Sequence, residues 1–110
     1  MDKRDDSTIV KYLQLIEERF RSVEQAYLFG SYVNGKSTEN SDIDLALIFK
    51  ELDDSKRFET QVDLLLLASE VDNRIEPHPI SHEDFYSQNP FAKEIKRTGV
   101  EVSADVIEKH

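Results

Sequence analysis

The residues that could do chemistry crowd into one stretch, "FGSYVNGKSTENSDIDLALIF", residues 29 to 49. It holds a Gly30-Ser31 pair, ten intervening residues, and then Asp42-Ile43-Asp44. On a β-strand, positions two apart project from one face, about 7 Å from each other. Two carboxylates so placed repel unless something positive lies between them. Two oxygen-seeking divalent cations about 3.5–4 Å apart would fit, and such a pair suits phosphoryl transfer. A lone D-x-D more often marks the wet side of an antiparallel strand. Here Ala46 and Ile48 continue the face of Asp42 and Asp44 as apolar residues. The face is therefore covered beyond Asp44, and the carboxylates stand at the mouth of a covered sheet.

Gly30 supplies the other half of that chemistry. It ends an apolar run, Ala26 to Phe29, without a side chain, so a phosphate can approach the backbone. Ser31 adds a hydroxyl and opens a short turn whose N–H groups attract anions. Residues 30 to 37 also fit the P-loop pattern G-x-x-x-x-G-K-[ST]. That motif needs a helix to follow it, and "NGKSTENS" has no apolar residue to pin one onto a sheet. The Lys36-Ser37 match is read as coincidence.

The elements that must position these residues follow from periodicity. Ile9, Leu13, Ile16, Phe20 and Val23 predict an amphipathic helix over 7–22, with Ser7 as its N-cap. Strands are predicted over Gln25 to Phe29 and Asp42 to Phe49. Residues 55–72 predict a second helix, with Phe58, Val62, Leu65 and Ser69 on one stripe and Leu64, Leu67, Ala68 and Val71 widening it. Periodicity alone also allows "VDLLLL" to be a strand. Helix is preferred because no turn signal interrupts it. Four consecutive leucines cannot all face inward, so most serve the core and one or two are left for a partner.

"RIEPHPI", 74–80, reads as an extended strand that Pro77 and Pro79 confine to an edge or a strand end. Ser81 starts a short helix, and Asn89, Pro90 and Gly99 bracket another. Val100 to Val102 add a few extended residues, and 103–110 read as a frayed tail. The expectation is a single α/β (α+β) domain over 1–110: a small mixed sheet of three to four strands flanked by helices.

Composition narrows the function. A net charge of -9 argues against direct nucleic-acid binding, yet a divalent cation can sit between carboxylates and a nucleotide's phosphates. No run reaches transmembrane length, and "MDKRDDSTIV" is too charged for a signal peptide, so a cytoplasmic protein is expected. The absence of cysteine excludes disulfides, thiol nucleophiles and thiolate metal sites. His78 and His82 are four apart, but Pro79 argues against a helix between them and hence against a zinc pair. They read as a sheet-end residue and a first-turn residue. Arg74, Lys93, Lys96 and Arg97 read as surface charge.

"GSYVNGKSTENSDIDLALI" resembles the G-S-x10-D-x-D signature of the DNA polymerase β-type nucleotidyltransferases. The charged first helix and "NPFAKEIKRTGVEV" resemble their smallest members, the MNT-type antitoxins of HEPN/MNT toxin–antitoxin pairs. The resemblance implies transfer of AMP from ATP to a hydroxyl, with a tyrosine of a cognate HEPN toxin as acceptor and a hetero-oligomer with that toxin. Gly30 and Ser31 would hold the triphosphate, and Asp42 and Asp44 would ligate two Mg²⁺, or Mn²⁺ in its place. A third carboxylate on a neighbouring strand would complete the site and help activate the hydroxyl. Glu76 is the candidate, and Asp63 is the runner-up if "VDLLLL" is a strand. Two residues depart from the family pattern: Tyr32 stands where many relatives carry arginine, and Glu76 is longer than the commoner aspartate. A degenerate domain that neutralises its partner by binding only is the alternative.

Overall fold

The computed structural model describes residues 3–38 and 40–103; the expected tail from 104 onward lies outside them. Four strands form one mixed sheet: β1 (Val23–Phe29), β2 (Ile43–Phe49), β3 (Ile75–Ser81) and β4 (Val100–Val102). Their order is β3-β2-β1-β4, with β2 and β3 parallel and the other neighbours antiparallel. Helices α1 (Lys3–Arg19) and α2 (Arg57–Ser69) cover one face, and α3 (His82–Phe85) and α4 (Pro90–Thr98) cover the other.

Strict alternation in β2 builds both cores at once. Ile43, Leu45, Leu47 and Phe49 join Ile9, Tyr12, Leu13 and Ile16 of α1 and Leu64, Leu67 and Ala68 of α2. Ala46 and Ile48 join Ile80, Phe85, Ala92 and Ile95 on the opposite side. Asp44 belongs to that second face but lies at its uncovered end. Apolar burial drives both layers, and the covered face begins only past the carboxylate.

Several element boundaries differ from those the periodicity predicts. α1 begins at Lys3, so Ser7 is inside the helix rather than its cap; Asp6 places a negative charge near the N-terminal end, which the helix dipole favours. The helix ends at Arg19, and Val23 already belongs to β1, whose pairing with β2 is irregular between Val23 and Gln25. β2 starts at Ile43, leaving Asp42 exposed just before the strand.

The α2 stripe is corrected as well. Leu64, Leu67 and Ala68 form the buried face, whereas Phe58, Val62 and Leu65 are exposed. The reason is at the edge of β3. There the amide of Gln61 donates to the Pro77 carbonyl at 2.8 Å and Arg57 donates to that of Pro79 at 3.4 Å. These bonds turn α2 about its axis and cover the proline-bearing edge that lacks N–H donors. Tyr12 locks α1 to α2 by donating its hydroxyl to the Leu64 carbonyl at 2.9 Å.

On the far face, Ser81 Oγ caps α3 by accepting from the Asp84 N–H at 3.0 Å. Asn89 caps α4 by accepting from the N–H groups of Phe91 and Ala92. Gly99 ends α4 where a Cβ would lie 2.6 Å from the Ile95 carbonyl oxygen.

Candidate active site

The site is assembled where β1, β2 and β3 reach the same end of the sheet. Phe29 is the last residue of β1 and pairs with Asp44, so Gly30 leaves the strand directly beside that carboxylate. The glycine has φ +79°, and a Cβ built on it would lie 2.6 Å from Asp44 Oδ2. Glycine is therefore required twice, by the left-handed backbone and by the approach of the acid. Gly30, Ser31 and Tyr32 then form one 3₁₀ turn. No helix follows Lys36, because residues 36–38 and 40–42 are irregular before β2 begins. The P-loop pattern thus lacks the helix that would give it meaning.

On the other side of Asp44, the parallel register sets Glu76 against it, and His78 against Ala46. Ligand atoms of Asp44, Glu76 and His78 all lie within 4.8 Å of one another. His78 Nε2 is 3.2 Å from Asp44 Oδ1. Asp42 stands outside that group, exposed just before β2, and acts on Glu76 through its charge. Burial pushes the Glu76 carboxyl above its ordinary range. The charges of Asp42 and Asp44 push the same way, while His78 pulls against them. Of the expected residues, Gly30, Asp44 and Glu76 are brought to one mouth, with Ser31 in the adjoining turn and Asp42 at its exposed rim.

Asp63 is not among them. "VDLLLL" is helical, and Asp63 is exposed on α2. His82 is elsewhere too, at the start of α3 against Glu24. His78 departs from its expected place: it sits in mid-strand within the acidic cluster, not at a sheet end. The sequence does carry a signal for this, since Glu76 and His78 are two apart on a strand and must share a face. Phe29 and Phe91 pack around it, with ring centroids 5.2 Å and 6.1 Å from the imidazole.

Carboxylate oxygens are what hard divalent cations take, and carboxyls crowded together against their own charge are relieved by one. The donor set of Asp44, Glu76 and His78 is one that a divalent cation could take. Tyr32 follows the Gly30-Ser31 pair, and its hydroxyl accepts from Arg74 Nη1 at 3.0 Å. Arg74 is also paired with Asp72, and its hydrogen bond holds that carboxyl below the usual range.

Residues 9–106 match the Polymerase beta, Nucleotidyltransferase family model. The chain belongs to that family. No curated protein matches it in sequence. Among solved structures, it is similar to a protein from Sulfolobus solfataricus assigned to the nucleotidyltransferases, at 18% identity and TM-score 0.63, over 87% of this chain and 77% of that one. A toxin–antitoxin complex with AMP-PNP is similar at 21% identity and TM-score 0.59, over 93% and 79%. A third is the complex of a tri-AMPylated Shewanella oneidensis HEPN toxin with MNT antitoxin, at 18% identity and TM-score 0.53, over 99% and 78%. At these identities the likeness is one of fold. Among the described residues no helix is long and apolar enough to cross a membrane.

Proposed function

We propose that this chain is an antitoxin that transfers AMP from ATP to a hydroxyl of a HEPN-type toxin, a tyrosine being the acceptor. The observation that carries the reading is the juxtaposition of a glycine turn and an acid cluster: Gly30 lies against Asp44, which lies against Glu76 and His78. A nucleotide's phosphates can enter beside Gly30 because nothing projects from it, and the neighbouring Ser31 hydroxyl donates to them. Asp42, Asp44 and Glu76 would hold the divalent cations, which would supply neutralisation of charge on the transferring phosphoryl group. His78 fixes the orientation of Asp44 through its ring nitrogen.

In the transfer, the acceptor oxygen forms a bond to the α-phosphorus. The bond from that phosphorus to the bridging oxygen breaks, and pyrophosphate leaves. The hydroxyl proton passes to a carboxylate of the cluster, and Glu76 on β3 is the residue assigned to take it. One structural likeness supports the acceptor class, a neighbour in which an MNT antitoxin is bound to an AMPylated toxin, and another, with AMP-PNP, supports an adenine nucleotide as donor.

The alternative, an antitoxin that neutralises by binding alone, draws on Tyr32 in the place of arginine. Incubating the purified chain with its toxin, labelled ATP and Mg²⁺ separates the two. Label on the toxin supports transfer. A stable complex without label supports binding alone.

A further inference from the structure

Phe58, Val62, Leu65 and Leu66 of α2 expose 78%, 37%, 44% and 63% of their surface. Their spacing, i, i+4, i+7 and i+8, makes one stripe about 100° wide on the side away from the buried Leu64, Leu67 and Ala68. Scattered apolar residues on a surface need no explanation, but a contiguous stripe that includes a phenylalanine marks an interaction site. Glu59, Asp63 and Glu70 line one edge of it, all exposed. Residues 58–71 contain no lysine or arginine to offset them.

We propose that this stripe is the docking surface for the toxin that presents the acceptor hydroxyl, and that the toxin meets it with an apolar ridge edged by lysine or arginine. The inference rests on the reading of a protein acceptor given above. Charge selects the occupant. A second copy of this chain would bring the same acidic edge and the same net charge of -9 against itself, and like charges brought together oppose association. A basic ridge meets attraction instead. Helix α2 is bonded to the outer edge of β3 through Gln61 and Arg57. β3 carries Glu76 and His78. A protein seated on α2 would reach the acid cluster, which lies on the opposite face of the sheet, only by wrapping around the β3 edge.

The test uses the whole chain and its purified HEPN-type toxin. Phe58→Ser and Leu66→Lys alter exposed side chains, and circular dichroism and ATP titration should match wild type. Calorimetric affinity for the toxin should fall at least about tenfold in each, the mark of an interface anchor. Glu59→Lys/Asp63→Lys should weaken binding as well, and raised salt should weaken the wild-type complex. Wild-type affinity in the α2 variants would overturn the docking surface while leaving the toxin reading intact. No binding by wild type would overturn the toxin reading and this surface with it. A wild-type dimer in sedimentation that Leu66→Lys dissolves would assign the stripe to a second copy and overturn the proposal.

Discussion

Gly30 and Asp44 stand so close that a methyl group on the glycine would lie 2.6 Å from the aspartate's Oδ2. That approach ties the turn after β1 to the acid on β2, and it makes glycine obligatory at position 30. Gly35 has a similar backbone, φ +76°, but a Cβ there would meet nothing within 4 Å. The two glycines therefore separate backbone strain from site geometry. Gly35→Ala should cost about 1–3 kcal/mol of stability and leave ATP binding unchanged. Gly30→Ala should cost at least as much and abolish ATP binding, because Asp44 must move. Thermal melts beside ATP titrations check this; equal ATP affinity in both variants would contradict it.

The proton on Glu76 gives a pH signature. Its carboxyl is raised in the folded chain, so without divalent cations its contribution to stability is full below the unfolded value of about 4.3 and is lost as pH rises through the folded one. Glu76→Gln does not titrate there. Between about pH 4 and 7 in chelator, the melting temperature of the variant should therefore rise relative to wild type. A constant difference across that range would count against the crowded carboxyls.

Mg²⁺ should act on the same group in the opposite sense. A cation that binds only the folded chain stabilises it by about 2.7 kcal/mol at a hundred times its dissociation constant. Millimolar Mg²⁺ or Mn²⁺ should raise the melting temperature of wild type, more so with ATP, and should do little for Glu76→Gln. A wild-type melt indifferent to both cations would speak against a metal site.

Lys36 and Ser31 discriminate between the two readings of the glycine loop. Lys36 is exposed in the irregular segment after the 3₁₀ turn, so Lys36→Ala should leave ATP affinity within about twofold, as exposed charges contribute little. Ser31→Ala removes a hydroxyl beside Gly30 and should weaken binding by roughly 0.5–1.5 kcal/mol, the worth of one hydrogen bond. The reverse ranking in calorimetry would restore the P-loop.

How far the sequence can be read depends on what each signal measures. "IDLALIF" alternates without a break, so the two faces of β2 and the place of Asp44 at an uncovered end are legible in it. The prolines of "EPHPI" correctly put β3 at an edge, because a missing N–H is tolerated there. Periodicity fixes that α2 has an apolar face, but two apolar faces compete in "FETQVDLLLLAS". Only the bonds from Arg57 and Gln61 to β3 decide which turns inward. For His78 the local spacing gives only the shared face with Glu76; its bond to Asp44, 34 residues away, depends on a parallel register that no local pattern encodes.

The central claim, that the acid cluster transfers AMP, is tested most directly by Asp44→Asn. The amide is nearly isosteric, so both cores should pack as before, but it lacks the charge that makes aspartate a good cation ligand. The measurement is the intact mass of the HEPN-type toxin co-expressed with each form of the chain, read beside cell growth. Wild type should add one or more AMP units and protect the cells. Asp44→Asn, though folded and still able to bind the toxin, should add none and fail to protect. Unmodified toxin with both forms, and full protection by Asp44→Asn, would contradict transfer and leave a protein that neutralises by binding.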